Sequence, residues 1–243
     1  MRPPLLVALV LMAATGQALA SATEDINAGY DAFQRGDHTL AIDFYTRGIE
    51  SGELTEQQLA VAYGNRCSTY YTMRSFERAA LDCATAVELD ANDAVAHNLL
   101  GTVHTAQENY EGAIVSFDKA IELDPDYAAA YNNRGLVRRS MRKVEKAIED
   151  FATAIWLKPD FAEAYLNRGE TYRRERLYDR AIADFGTAIG LDPNYPNPYI
   201  GRGAAYQATG RKNKAVADYR KARALSPDDP FLKRKMREVG LLK

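Results

Sequence analysis

The sequence predicts an all-α solenoid, a stack of helix-turn-helix units, and three observations lead there. Ala79, Ala113, Ala147, Ala181 and Ala215 stand 34 residues apart in the 243-residue chain, and whole columns of neighbours repeat with them. Those columns fall at helical spacing. Cys83, Phe117, Phe151, Phe185 and Tyr219 lie four residues on, Ala86, Ala120, Ala154, Ala188 and Ala222 seven on, and Leu89, Leu123, Leu157, Leu191 and Leu225 ten on. Offsets of 4, 7 and 10 trace one face of an α-helix. Pro125, Pro159, Pro193 and Pro227 follow that leucine by two residues, where proline cannot continue the helix. A repeat of this length is the signature of units that bury their apolar faces on one another.

The first twenty residues stand outside the repeat. Arg2, the apolar run Leu5–Ala14 and the end Ala18, Leu19, Ala20 have the layout of a secretory signal, residues 1–20, cleaved after Ala20. The run is shorter than the ~20 apolar residues that span a bilayer, so no stable membrane insertion is expected after cleavage. The remaining chain, Ser21–Lys243, carries a formal charge of −3 against −2 for the whole, because Arg2 is lost. Its expected location is periplasmic or secreted.

Six copies follow within the repeat region 21–243, at 22–55, 60–93, 94–127, 128–161, 162–195 and 196–229. The first is atypical, with Asp25 and Gly48 in columns that elsewhere hold an aromatic and an alanine, as suits an end unit facing water. Four extra residues separate copies one and two, and Thr55 and Gln58 there have capping-box spacing, which lengthens the next helix by about one turn. In each copy a first helix, A, carries Tyr63, His97, Tyr131, Tyr165 or Tyr199, followed four residues later by Cys67, Gly101, Gly135, Gly169 or Gly203. A mid-helix glycine costs about 1 kcal/mol relative to alanine, so its recurrence points to close approach by the second helix, B. After the sixth copy, Leu232, Met236 and Val239 mark an amphipathic capping helix over 230–243. Lys233, Arg234, Lys235 and Arg237 on it read as a solvated face, because the chain is net −2 and offers no other basic stretch.

A 34-residue unit with an aromatic, a small residue four on, then alanine, aromatic, alanine and proline resembles the tetratricopeptide repeat family over residues 22–243. The resemblance implies a right-handed α-solenoid of about six units whose A helices line a concave peptide-binding groove. Asn27, Asn65, Asn133 and Asn167 share one column of that groove, similar to the asparagine ladder in the repeat domain of O-GlcNAc transferases, whose amides hold a bound peptide's backbone. The alternative is an amide bonded to the neighbouring helix. Other implied groove positions are Asn98, Asn132, Arg139, Arg173 and Arg174, with Glu163 and Glu170 beside them and Tyr30, Phe33 and Tyr71 towards the N-terminal end. The columns where the carboxylate-clamp type of the family holds lysines carry Val61, Gly64, Val95 and Asn98, so a clamp is not supported.

Two further pairings come from comparing copies. In an antiparallel pair turning near residue 75, Cys67 and Cys83 face each other, as a disulfide in an oxidising compartment or as two buried thiols. Arg66, Arg134, Arg168 and Arg202 occur in the same four copies as Asp82, Asp150, Asp184 and Asp218, and both are missing from the copies with Ala28 and Phe44 or Leu100 and Ser116. Residues that appear and vanish together imply ion pairs between helices. His38, His97 and His104 lack metal-ligand spacing, no nucleophile has an identifiable base, and Gly201, Gly203 and Tyr206 form a nucleotide-loop fragment with no strand before it. The expected function is a non-enzymatic adaptor, with no cofactor, metal or nucleic acid, that binds an extended segment of a cell-envelope protein. The alternative is an envelope structural protein that associates with copies of itself.

Overall fold

Thirteen helices and no strand make up residues 17–241, the residues described by the computed structural model. The leader expected at 1–20 lies outside them except for 17–20, which open the first helix. Six A–B pairs follow in order: α1 (Gln17–Gln34) and α2 (His38–Glu50), α3 (Glu56–Thr72) and α4 (Phe76–Leu89), α5 (Ala94–Ala106) and α6 (Tyr110–Leu123), α7 (Ala128–Ser140) and α8 (Val144–Leu157), α9 (Ala162–Arg174) and α10 (Tyr178–Leu191), α11 (Pro196–Ala208) and α12 (Lys212–Leu225). A last helix, α13 (Pro230–Glu238), has no partner in sequence. The chain is an all-α repeat solenoid, divided into a unit that ends at Pro125 and a unit that begins at Asp126. None of the described helices is long and apolar enough to cross a membrane.

Local chemistry sets the helix ends. Asp124, Lys158 and Asp192, each before a proline, leave the helix at φ −134°, −134° and −137°, and Asp90, before Ala91, does so at −135°, so the proline ring, which excludes the α conformation from its predecessor, reinforces an exit the repeat already makes. α3 has 17 residues where α5, α7, α9 and α11 have 13. Its extra turn starts at a capping box in which Thr55 N–H donates to Gln58 Oε1 (2.8 Å) and Gln58 N–H to Thr55 Oγ1 (3.3 Å).

The glycine column has a plain steric cause. A Cβ on Gly101, Gly135 or Gly203 would stand 2.7 Å from the ring of Phe117, Phe151 or Tyr219, and one on Gly169 3.0 Å from Phe185. The B-helix ring therefore lies directly on the A-helix backbone, and a side chain there would displace it. Gly29 and Tyr45 repeat the arrangement in the first copy at 2.6 Å. In the second copy both columns change together. Cys67 and Cys83, each fully buried, form a disulfide with their Cα atoms 5.4 Å apart, so a covalent bond stands where the other copies pack a ring on glycine. In the second unit α13 closes the stack with Leu232, Met236 and Val239, which are buried against Tyr199, Ile200 and Tyr219.

Candidate functional site

The arginine and aspartate columns meet across the helix pair in all four copies that carry them. Arg66 Nε and Nη2 donate to Asp82 at 2.7 and 2.8 Å, Arg134 to Asp150 at 3.1 and 2.7 Å, and Arg168 to Asp184 and Arg202 to Asp218 at 2.8 Å twice. These planar two-point pairs are the strong form of the interaction. Asp150 is shared with Arg138 at 2.9 Å. Each guanidinium also lies over the first tyrosine of its own A helix, 5.3 to 5.9 Å from the rings of Tyr63, Tyr131, Tyr165 and Tyr199. The hydrogen bonds they donate to Asp184 and Asp218 raise Arg168 and Arg202 above the usual arginine value, against the effect of burial. With both charges committed to each other, these arginines are structural ties and not ligand contacts. The atypical copy substitutes a different pair, Arg47 to Asp25.

The implied groove of the middle copies is filled by its own side chains. Asn167 donates to Asn132 Oδ1 at 2.9 Å, with the two residues only 9% and 1% exposed, and Asn132 donates in turn to the half-buried Asn133 at 3.4 Å. Arg139 donates to the Asn167 carbonyl at 3.2 Å. Glu170 accepts from Arg173 Nε at 2.9 Å and from Arg174 Nε at 3.4 Å. Burial opposes ionisation of Glu170, yet these two arginines hold its carboxyl below the usual value. Burial and the neighbouring Arg174 push Arg139 the other way, below the ordinary arginine value. Asn167, expected in the ladder that holds a peptide backbone, and Asn132, expected elsewhere in the groove, are thus bonded to each other. Successive A helices in the second unit approach closely enough that these amides are buried on each other, which for Asn167 is the alternative its column left open.

The first unit is different. Between α3 and α5 a cleft of about 30 Å³ is lined by Ala60, Val61, Gly64, Asn65, Asp93, Val95, Ala96 and Leu99. Gly64 is a helical glycine with no ring against it, and an added Cβ would meet nothing within 4 Å. Asn65 is 3% exposed, and Asn98 and Tyr71 are half-buried on the same two helices. Tyr71 packs its ring against Phe76 at 5.8 Å. Phe33 is buried, with its ring against His38 at 5.1 Å. Cys67 and Cys83 are bonded to each other, so neither offers a thiolate to a metal.

Models of the TPR repeat match residues 101–141 and 135–174, and models of the tetratricopeptide repeat match 162–195 and 196–229. The chain carries tetratricopeptide repeats. A mouse relative, tetratricopeptide repeat protein 12, is 35% identical over 78 residues, which is 32% of this chain and 10% of that protein. PilF of Pseudomonas aeruginosa superposes with a TM-score of 0.75 at 19% identity, over 92% of this chain and 100% of that one. YrrB, described as a TPR protein with an unusual peptide-binding site, gives 0.57 at 23% identity over 79% and 97%. Cut9, in its complex with Hcn1, gives 0.79 at 18% identity, over 90% of this chain and only 43% of its own. These identities establish a shared fold and nothing finer.

Within the tetratricopeptide repeats the sequence signal for the cleft was present in negative form. The columns that failed to supply clamp lysines hold Val61, Gly64 and Val95, and those residues are its apolar lining. Gly64 is set apart from Gly101, Gly135, Gly169 and Gly203 by having no ring partner. That difference depends on which face of α3 meets another helix, and one sequence does not contain it.

Proposed function

We propose that this protein is a non-enzymatic interaction scaffold of the cell envelope that holds an extended segment of another protein on the A helices of its first unit. The cleft between α3 and α5 carries the reading. Its apolar walls and the open space over Gly64 suit the tip of one small apolar side chain. Support comes from the repeat fold, whose relatives include the peptide-binding YrrB, and for the envelope from the leader pattern at 1–20. The segment runs across helices, so it meets one cleft and leaves the ties of the repeat untouched.

Peptides selected from a random extended library against the full chain test this. Gly64→Leu fills the cleft, and because leucine favours helix over glycine by roughly 1 kcal/mol it does not weaken α3. Selected peptides should bind the natural chain and lose at least tenfold in affinity for Gly64→Leu, an effect of about 1.4 kcal/mol. Unchanged affinity in titration calorimetry would move the site off the cleft.

A further inference from the structure

The A–B turns of the second unit gather positive charge, with the largest share in residues 138–146. Residues 138–146, 172–180 and 206–214 carry formal charges of +4, +2 and +3, whereas the same columns of the first unit, 32–40, 70–78 and 104–112, carry 0, +1 and −2. The loops that join successive copies of the second unit, 158–161, 192–195 and 226–229, carry 0, −1 and −2. Consecutive turns adjoin: α7 packs on α9 and α9 on α11, and Arg211 reaches back to Asp179 at 2.8 Å. Some of these cations are engaged, Arg138 by Asp150, and Arg173 and Arg174 by Glu170. Arg142, Lys143, Lys146, Arg176, Lys212 and Lys214 are exposed, and none has a carboxylate within ion-pair distance among the described residues. By contrast, both lysines of α13, Lys233 and Lys235, are paired, with Asp228 and Glu238.

The turns keep these cations where local stability would favour other residues. Arg142 and Arg176 sit at φ 61° and 62°, the left-handed conformation that this turn position also gives to Arg74 and Glu108 in the first unit and to Gly210 in the sixth copy. Lys143 and Arg211 occupy the position before α8 and α12 where Asp37 and Asn109 of the first unit cap their helices, and neither makes a capping bond. A cation at that end opposes the helix dipole.

We propose that this turn edge of the second unit docks on an anionic phospholipid membrane through Arg142, Lys143, Lys146, Arg176, Lys212 and Lys214. The cations form a row on projecting turns rather than a pocket, so they match charge spread over a plane better than one carboxylate or phosphate held at defined points. Leu177, 42% exposed between Arg176 and Tyr178, adds an apolar tip at the same level. A single-stranded nucleic acid would want open aromatic faces for base stacking. Two rings on this edge are already covered, Tyr172 by Arg168 and Arg180 and Tyr206 by Arg202, Arg211 and Lys214, all within 6.0 Å. This inference stands independently of the cleft on α3 and α5.

Co-sedimentation of the full chain with vesicles of phosphatidylglycerol in phosphatidylcholine tests it, with pure phosphatidylcholine as the neutral arm and free polyglutamate as the acidic-polymer arm. The excess of anionic over neutral binding is the readout, which removes any contribution of the apolar leader. It should be present at about 0.05 M salt and vanish at about 0.5 M, where screening is several times shorter in range. The variant Arg142→Gly, Lys146→Gln, Arg176→Gly, Lys212→Gln places glycine where the backbone favours it, so its melting temperature should not fall. Its anionic excess should drop by roughly fivefold for each cation removed, to background for the four together. No anionic excess in the natural chain, an excess kept by a folded variant, or binding to polyglutamate without binding to vesicles would each overturn the proposal.

Discussion

Reducing the Cys67–Cys83 bridge should weaken the first unit more than any single surface change. The bond joins residues 16 apart, and closing a loop of that size removes about 3 kcal/mol of chain entropy from the unfolded state. Both sulfurs are fully buried at the contact between α3 and α4, so after reduction two small side chains remain where the other copies pack a phenyl ring on glycine. No compensating contact replaces the bond. At roughly 4 °C per kcal/mol for a unit of this size, a phosphine reductant should lower the melt of the first unit by roughly 10 °C. The double change Cys67→Gly with Cys83→Phe restores the ring-on-glycine contact and should recover part of that loss, whereas Cys83→Ala should recover none. Circular dichroism melts with and without reductant, alongside alkylation of the unfolded unreduced chain, provide the measurement. A melt that moves by less than about 2 °C, or two thiols labelled without reductant, refutes the reasoning.

Three other outcomes follow from the same packing. Asp184→Ala leaves Arg168 a largely buried, unmatched charge and should cost ~3 kcal/mol or more, while Arg168→Leu with Asp184→Leu should cost far less; equal losses in denaturant titrations would mean the ties are not coupled. Tyr45 is fully buried and its hydroxyl has no hydrogen-bond partner, while Tyr219 in the same column donates to Gln207 at 2.9 Å. Tyr45→Phe should therefore hold or raise stability, by up to about 1 kcal/mol, and Tyr219→Phe should lower it. The Glu170 carboxyl is held below its ordinary value in the folded chain, so its contribution is complete above the unfolded carboxylate range, near 4.3, and is lost as pH falls through and below it. Melts between neutral pH and about pH 3 should fall less steeply for Glu170→Gln.

Much of this architecture is legible in the chain because the chain repeats it. Five copies in register supply their own alignment, so the ring-on-glycine contact, the arginine and aspartate ties and the facing cysteines could each be read as columns that change together. The groove was not legible in the same way. Asn132 and Asn167 lie on adjacent A helices one column apart, and whether their amides meet each other or a ligand depends on the distance between those helices, which no column records. The basic turn edge escaped for another reason. Residues 138–146 already carry +4 in the sequence, but the cations of the other two turns join them only when the turns are brought side by side.

The claim that the first unit holds an extended segment at α3 and α5 meets its most direct test in living cells. A photo-crosslinking residue in place of Val61, at the wall of the cleft, should yield one discrete adduct, and Gly64→Leu in the same chain should abolish it while a crosslinker on an exposed B-helix position such as Leu81 yields none. An adduct that survives Gly64→Leu, or one that forms from Arg173 and not from Val61, would contradict the account.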